Sequence, residues 1–157
     1  MTFLYPALAF AIGACIAVQA PVNNQLALSL GGGPLMAALV SFVVGTVFLL
    51  VIALFGGGLP AAVAALPRQP LWKLSGGLLG AAYLLGSVFL VPRIGLAGLL
   101  ALVIAGQIAC SLTVDHFGLL GLMERQVTAA RSLGAALVMG GVLLILYGDR
   151  LLSALRG

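Results

Sequence analysis

The segment LMAALVSFVVGTVFLLVIALF, Leu35 to Phe55, runs for 21 residues without a charged side chain. A run of that length decides what such a chain can become. About 20 apolar residues in a helix span the roughly 30 Å hydrocarbon core of a bilayer. Similar runs recur along the sequence, in which 63% of the 157 residues are hydrophobic and 6% are charged. The runs are continuously apolar, whereas strands of a membrane barrel alternate over about 10 residues. Inside lipid each backbone polar group must be paired within its own segment, which a helix does by itself. The expected fold is therefore all-α, a polytopic integral membrane protein.

Glycine, proline and charge divide the sequence into five expected transmembrane helices in one domain, at about 3–28, 35–55, 74–91, 96–114 and 133–148. Gly31 to Pro34 (GGGP) separates the first two, and Gly56, Gly57, Gly58 and Pro60 close the second. The short segment AAVAAL before Pro67 is expected at the interface, with Trp72 and Lys73 anchoring the third span. Pro92, Arg93 and Gly95 read as a tight turn. DHFGLLGLMERQVTAAR, Asp115 to Arg131, links the fourth span to the fifth, which Asp149 and Arg150 end. The opening MTFLYPALAF lacks the basic region of a signal peptide and reads as the start of a retained helix.

Several functions are excluded on chemistry. The net charge of +4 comes from scattered Arg and Lys with no basic stripe, so nucleic acid is not an expected partner. Cys15 and Cys110 fall inside apolar runs and read as packing residues, not as a disulfide or a metal site. No nucleophile–base constellation, HExxH or phosphate loop is present, so neither an enzyme nor a cofactor is expected. Small residues recur on the expected helices: Gly76 and Gly80, Ala82 and Gly86, Gly134 and Gly140–Gly141. Such residues let helix backbones approach in lipid, here mostly within one chain.

The charge balance bears on orientation. With five spans, Arg68, Lys73, Arg125 and Arg131 lie on the side of the N-terminus, and Arg93, Arg150 and Arg156 on the other. Basic residues near span ends set orientation, positive side inside. Four against three is almost no bias. Either one orientation prevails, N-terminus inside, or the chain inserts both ways and pairs head to tail, as inverted repeats do within many transporters.

Within the apolar runs a few polar residues stand out. Gln19 and Asn23 are four apart and share a helix face. An unpaired amide in hydrocarbon costs several kcal/mol, so both are expected to point inward, to a partner helix or a wet cavity. Pro21 between them leaves the Ala17 carbonyl without its donor. Such groups suit a small polar solute, or simply a kinked pair of bonded helices. Gln107, Ser111 and Asp115 repeat the four-residue spacing in the fourth span. Asp115 beside His116 could relay protons, since histidine titrates near neutral pH, or could form a solvated cap or ion pair. Ser41, Tyr83 and Ser87 are weaker candidates, because a lone Ser in a membrane helix usually bonds its own backbone. No Asp, Glu, Lys or Arg falls mid-span, which favours a neutral or zwitterionic solute, or coupling through groups nearer the surface.

Gly13, Gln19, Asn23 and Leu26, followed by SFVVGT at Ser41 to Thr46, resemble the DUF606 (YdcZ-like) family of the drug/metabolite transporter superfamily. GQIACSLTVDHFGLLG, Gly106 to Gly121, carries the same resemblance most specifically, with Arg131, Gly134 and Gly141 after it. The C-terminal half is also similar to the small multidrug resistance proteins. The resemblance implies five-helix subunits in a bacterial inner membrane, occurring as dual-topology homodimers, as oppositely oriented gene pairs or as fused two-domain proteins, and transport of small molecules. It leaves the substrate open. The essential first-helix glutamate of the small multidrug resistance proteins has no counterpart here, where Gln19 and Asn23 are uncharged. Their proton exchange at a buried carboxylate is not expected in this chain.

The reading that joins these observations is a secondary transporter made of two copies in opposite orientation. Gln19 and Asn23 would bind the solute at the dimer interface, and Gln107 and Ser111 would line the same cavity. A dual-topology ion channel and a non-transporting membrane scaffold are the alternatives.

Overall fold

A computed structural model describes residues 3–156. Among these residues the regular elements are helices: α1 (Leu4–Leu30), α2 (Gly33–Gly56), α3 (Leu59–Ala65), α4 (Ser75–His116) and α5 (Ala129–Arg156). Four helical segments are long and apolar enough to cross a membrane: α1, α2, the stretch Leu71–His116 and Ala129–Ala154. The chain forms two compact units, one up to Arg93 and one from Ile94.

The first unit is organised by a hairpin. Helix α1 ends at Gly31, whose φ of 62° is left-handed, a conformation glycine adopts at little cost. Gly32 completes the link before α2 begins with Gly33 and Pro34, proline being well suited to a first helical turn. So short a connection makes α1 and α2 antiparallel neighbours. Their contact is made by small side chains: Ala20, Ala27, Ala37 and Ala38 are buried, as close helix approach in lipid requires. Ala27 and Ala37 also pack with Val88 of α4, and Leu26 packs against them. After α2, Gly57 and Gly58 carry positive φ. The AAVAAL segment lies largely in the short helix α3. Lys73 then donates to Gln69 Oε1 at 3.2 Å and lies 5.9 Å from the Trp72 ring centre.

The expected turn at Pro92, Arg93 and Gly95 is smaller than its sequence suggests. Pro92 and Arg93 stay helical, and within α4 only Gly95 departs, with φ 73° and ψ 161°. Proline's fixed φ is compatible with a helix, whereas Gly95 adopts an angle that a side chain would oppose.

In the second unit the later part of α4 packs on α5 through Ala101 and Ala105 against Val142, with Val138 and Leu146 alongside. A β-carbon on Gly98 would sit 3.1 Å from Leu146 Cδ2. These pairings run in opposite directions along the two helices. Helix α5 exceeds the expected 133–148 at both ends. Thr128 caps its start, its carbonyl accepting from Ser132 N–H at 3.0 Å and its hydroxyl from Arg131 N–H at 3.3 Å, the arrangement of an N-cap. Its far end runs past Asp149 and Arg150 to Arg156, because charge ends an apolar run without ending a helix.

Candidate functional site

The buried stripe of α1 consists of Ala20, Asn23 and Ala27. At 3.6 residues per turn, Gln19 lies roughly 40° to the other side of Asn23 from Ala20 and Ala27. The two amides therefore separate: Asn23 is 3% exposed, while Gln19 is exposed. Within the chain Asn23 is enclosed and Gln19 is not. Helix α1 continues through Pro21.

Asn23 Nδ2 is buried and has no hydrogen-bond partner among the described residues. Its level in the unit follows from the packing. Ala27, Ala37 and Val88 form one layer. One turn further from the Gly31 end lie Asn23 on α1, Ser41 on α2 and Leu84 on α4, beside Tyr83. The direction of α4 is fixed by its contacts with α2, since Gly80 faces the Phe42 ring and Leu85 shares a groove with Leu35. Three residues singled out in the sequence, Asn23, Ser41 and Tyr83, thus share a depth roughly 10 Å below the end of α1. Ser41 and Tyr83 are half-buried. Ser87 is 3% exposed, and its hydroxyl donates to the Tyr83 carbonyl at 2.7 Å. Ser87 is satisfied by its own helix and Asn23 is not.

The second group belongs to the other unit. Gln107 and Ser111 are exposed, and Ser111 Oγ donates to the Ile108 carbonyl at 3.0 Å. Asp115 and His116 fasten the turn that follows α4. The Asp115 carbonyl accepts from Arg125 N–H at 2.7 Å and Gly118 N–H at 3.4 Å. His116 Nδ1 accepts from Val127 N–H at 3.4 Å. The Asp115 carboxylate stands 3.6 Å from Arg131 Nη1. These contacts tie both residues to the turn. Arg131 as the partner of Asp115 was missed in the sequence, where the two lie sixteen positions apart. Gly118, with φ 57°, has no room for a side chain: a β-carbon would lie 3.3 Å from both Glu124 N and Leu122 O.

A family model described as "Putative inner membrane exporter, YdcZ" matches residues 4–144, from the first residue of α1 into α5. No curated protein and no solved structure matches the chain. The long apolar helices and the family together make this a multi-pass inner-membrane protein with a transporter role. Nine-tenths of the sequence falls within that match, and the chain belongs to the YdcZ (DUF606) family.

Proposed function

We propose that the chain is a secondary exporter of small neutral or zwitterionic solutes, working as two copies in opposite orientation, with the solute bound at Asn23. The observation that carries this reading is the Asn23 amide, buried in a helical core with a donor left unpaired. Such a group costs about 1–3 kcal/mol. A scaffold has no use for that expense, whereas a solute carbonyl, carboxylate or hydroxyl would complete the bond. Ser41 and Tyr83, at the same depth, offer further polar atoms.

Three observations support a second, inverted copy. The stretch Leu71–His116 holds 46 residues, more than twice the roughly 20 that one crossing needs. Read as two crossings broken at Gly95, it gives five in all and puts the termini on opposite sides. Gln19 and Gln107 are exposed amides within apolar helices, and such groups in lipid call for a partner. Finally, β-carbons on Gly76, Gly134, Gly140 or Gly141 would meet no atom within 4 Å. The expected tight packing within one chain does not occupy these positions, which leaves their faces available to another copy.

The test is Asn23→Ala, followed by thermal stability in detergent and by mass spectrometry of small molecules released from overproducing cells. Stability should hold or rise, because no bond is lost, while the released solute disappears from the profile. A loss of stability of several kcal/mol with an unchanged profile would identify Asn23 as a structural bridge and favour a scaffold.

A further inference from the structure

An open groove runs between α2 and the first part of α4. One stretch of it, about 500 Å³, is walled by Leu35, Ala38 and Phe42 on one side and Leu78, Ala82 and Leu85 on the other. A second stretch shares Leu35, Ala82 and Leu85 and continues past Pro34 and Gly86 to Phe89. Its floor is low because Ala38, Ala82 and Gly86 carry little or no side chain. Its walls are hydrocarbon throughout, so a polar solute finds no hydrogen bond there.

The groove has a length and a polarity. From Leu78 to Phe89 is eleven residues, about 16 Å of helix rise. One leaflet of hydrocarbon is about 15 Å, half of the core thickness. The Phe89 end lies beside Pro34, where α2 begins, so this end is the one near the membrane surface. There the guanidinium of Arg93 sits 3.5 Å from the centre of the Phe89 ring, and Nη1 donates to the Phe89 carbonyl. The cation is thus held over a residue that forms the groove's wall. It has no carboxylate to pair with in its own unit: the first acidic residue in the sequence is Asp115. Among the described residues the one ion pair joins Arg131 to Asp115.

We propose that this groove binds one acyl chain of an anionic phospholipid, whose phosphate is held by Arg93. The match of length to one leaflet, the purely hydrocarbon walls and the unneutralised cation at the headgroup end select this occupant. Guanidinium groups bind phosphate through charge-assisted hydrogen bonds, and arginine near the end of a span sits naturally at headgroup level.

The experiment uses the full chain in mild detergent, titrated with phosphatidylglycerol or phosphatidylcholine and followed by native mass spectrometry. The wild type should retain one phosphatidylglycerol per chain in preference to phosphatidylcholine. Arg93→Gln should weaken phosphatidylglycerol by about tenfold, the size of one charge-assisted contact, and abolish the preference. Arg93→Lys should restore much of it. Ala82→Phe should fill the groove and reduce both lipids alike. Arg93 is exposed, so its variants test the idea even if Ala82→Phe does not fold. Equal binding of the two lipids by wild type and Arg93→Gln would overturn the proposal. So would loss of the dimer on Ala82→Phe with lipid retention unchanged, which would make the groove a seat for a second copy.

Discussion

Asp115 and Arg131 face each other at 3.6 Å across the turn between α4 and α5, with side chains 33% and 37% exposed. At that distance the charges attract without a hydrogen bond. The same Asp115 receives two backbone N–H groups on its carbonyl, so the residue serves the turn twice, by charge and by main chain.

Asp115→Asn should therefore be mild. Exposed pairs contribute about 0.2–1 kcal/mol, and the backbone bonds survive the change. Unfolding in detergent should shift by less than about 1 kcal/mol. A larger loss would show that the ion pair, not the main-chain cap, holds the turn.

Gly118→Ala and Gly121→Ala separate two kinds of strain. Both glycines have positive φ, but only Gly118 is crowded by backbone. Gly121→Ala should cost about 1–2 kcal/mol from φ alone. Gly118→Ala should cost measurably more, because Glu124 N and Leu122 O cannot swing aside as a side chain would. Equal unfolding temperatures for the two variants would contradict this.

Ser87→Ala should be nearly neutral, since it removes only a bond from Ser87 to the Tyr83 carbonyl of its own helix. Ser87→Leu should destabilise by about 1–3 kcal/mol through overpacking of a buried site. Thermal unfolding of the purified variants distinguishes them.

Much of this was legible in the sequence. The long apolar runs announced α1 and α2 because hydropathy alone sets a membrane helix. The GGGP turn was equally plain, since few residues other than glycine tolerate the angle at Gly31. What pattern could not supply was orientation about the axis. Gln19 and Asn23 satisfy the same spacing rule, yet the stripe of Ala20 and Ala27 decides which of them is enclosed. The Asp115–Arg131 pair depends on the fold of an intervening turn that periodicity does not describe. The start of α5 lay in Thr128, a cap inside a segment that read only as a link between spans.

Gly134→Ala and Gly140→Ala test the paired-copy reading. Each position is open within the chain, and Gly→Ala in a helix favours it by about 0.5–1 kcal/mol. The isolated subunit should be as stable or slightly more so. Cross-linking between copies should fall if these faces meet in the dimer; undiminished cross-linking of both variants would place the contact elsewhere.

Orientation itself can be read directly. Cys15 and Cys110 are unpaired and are replaced first. A cysteine added after Gly157 is then labelled with an impermeant thiol reagent in intact cells and after lysis. About half of the chains should label from outside. Uniform labelling from one side would mean a parallel dimer or an inverted partner of different sequence.

The two-glycine link between α1 and α2 has a consequence for biosynthesis. Between Leu4 and Arg68 no side chain is charged, so the hairpin's own residues carry no topogenic charge. Tied by Gly31 and Gly32, its helices must cross in opposite senses, and neither can be inverted without the other. The basic residues that follow it first are Arg68 and Lys73, and any charge placed there acts on both helices of the hairpin together.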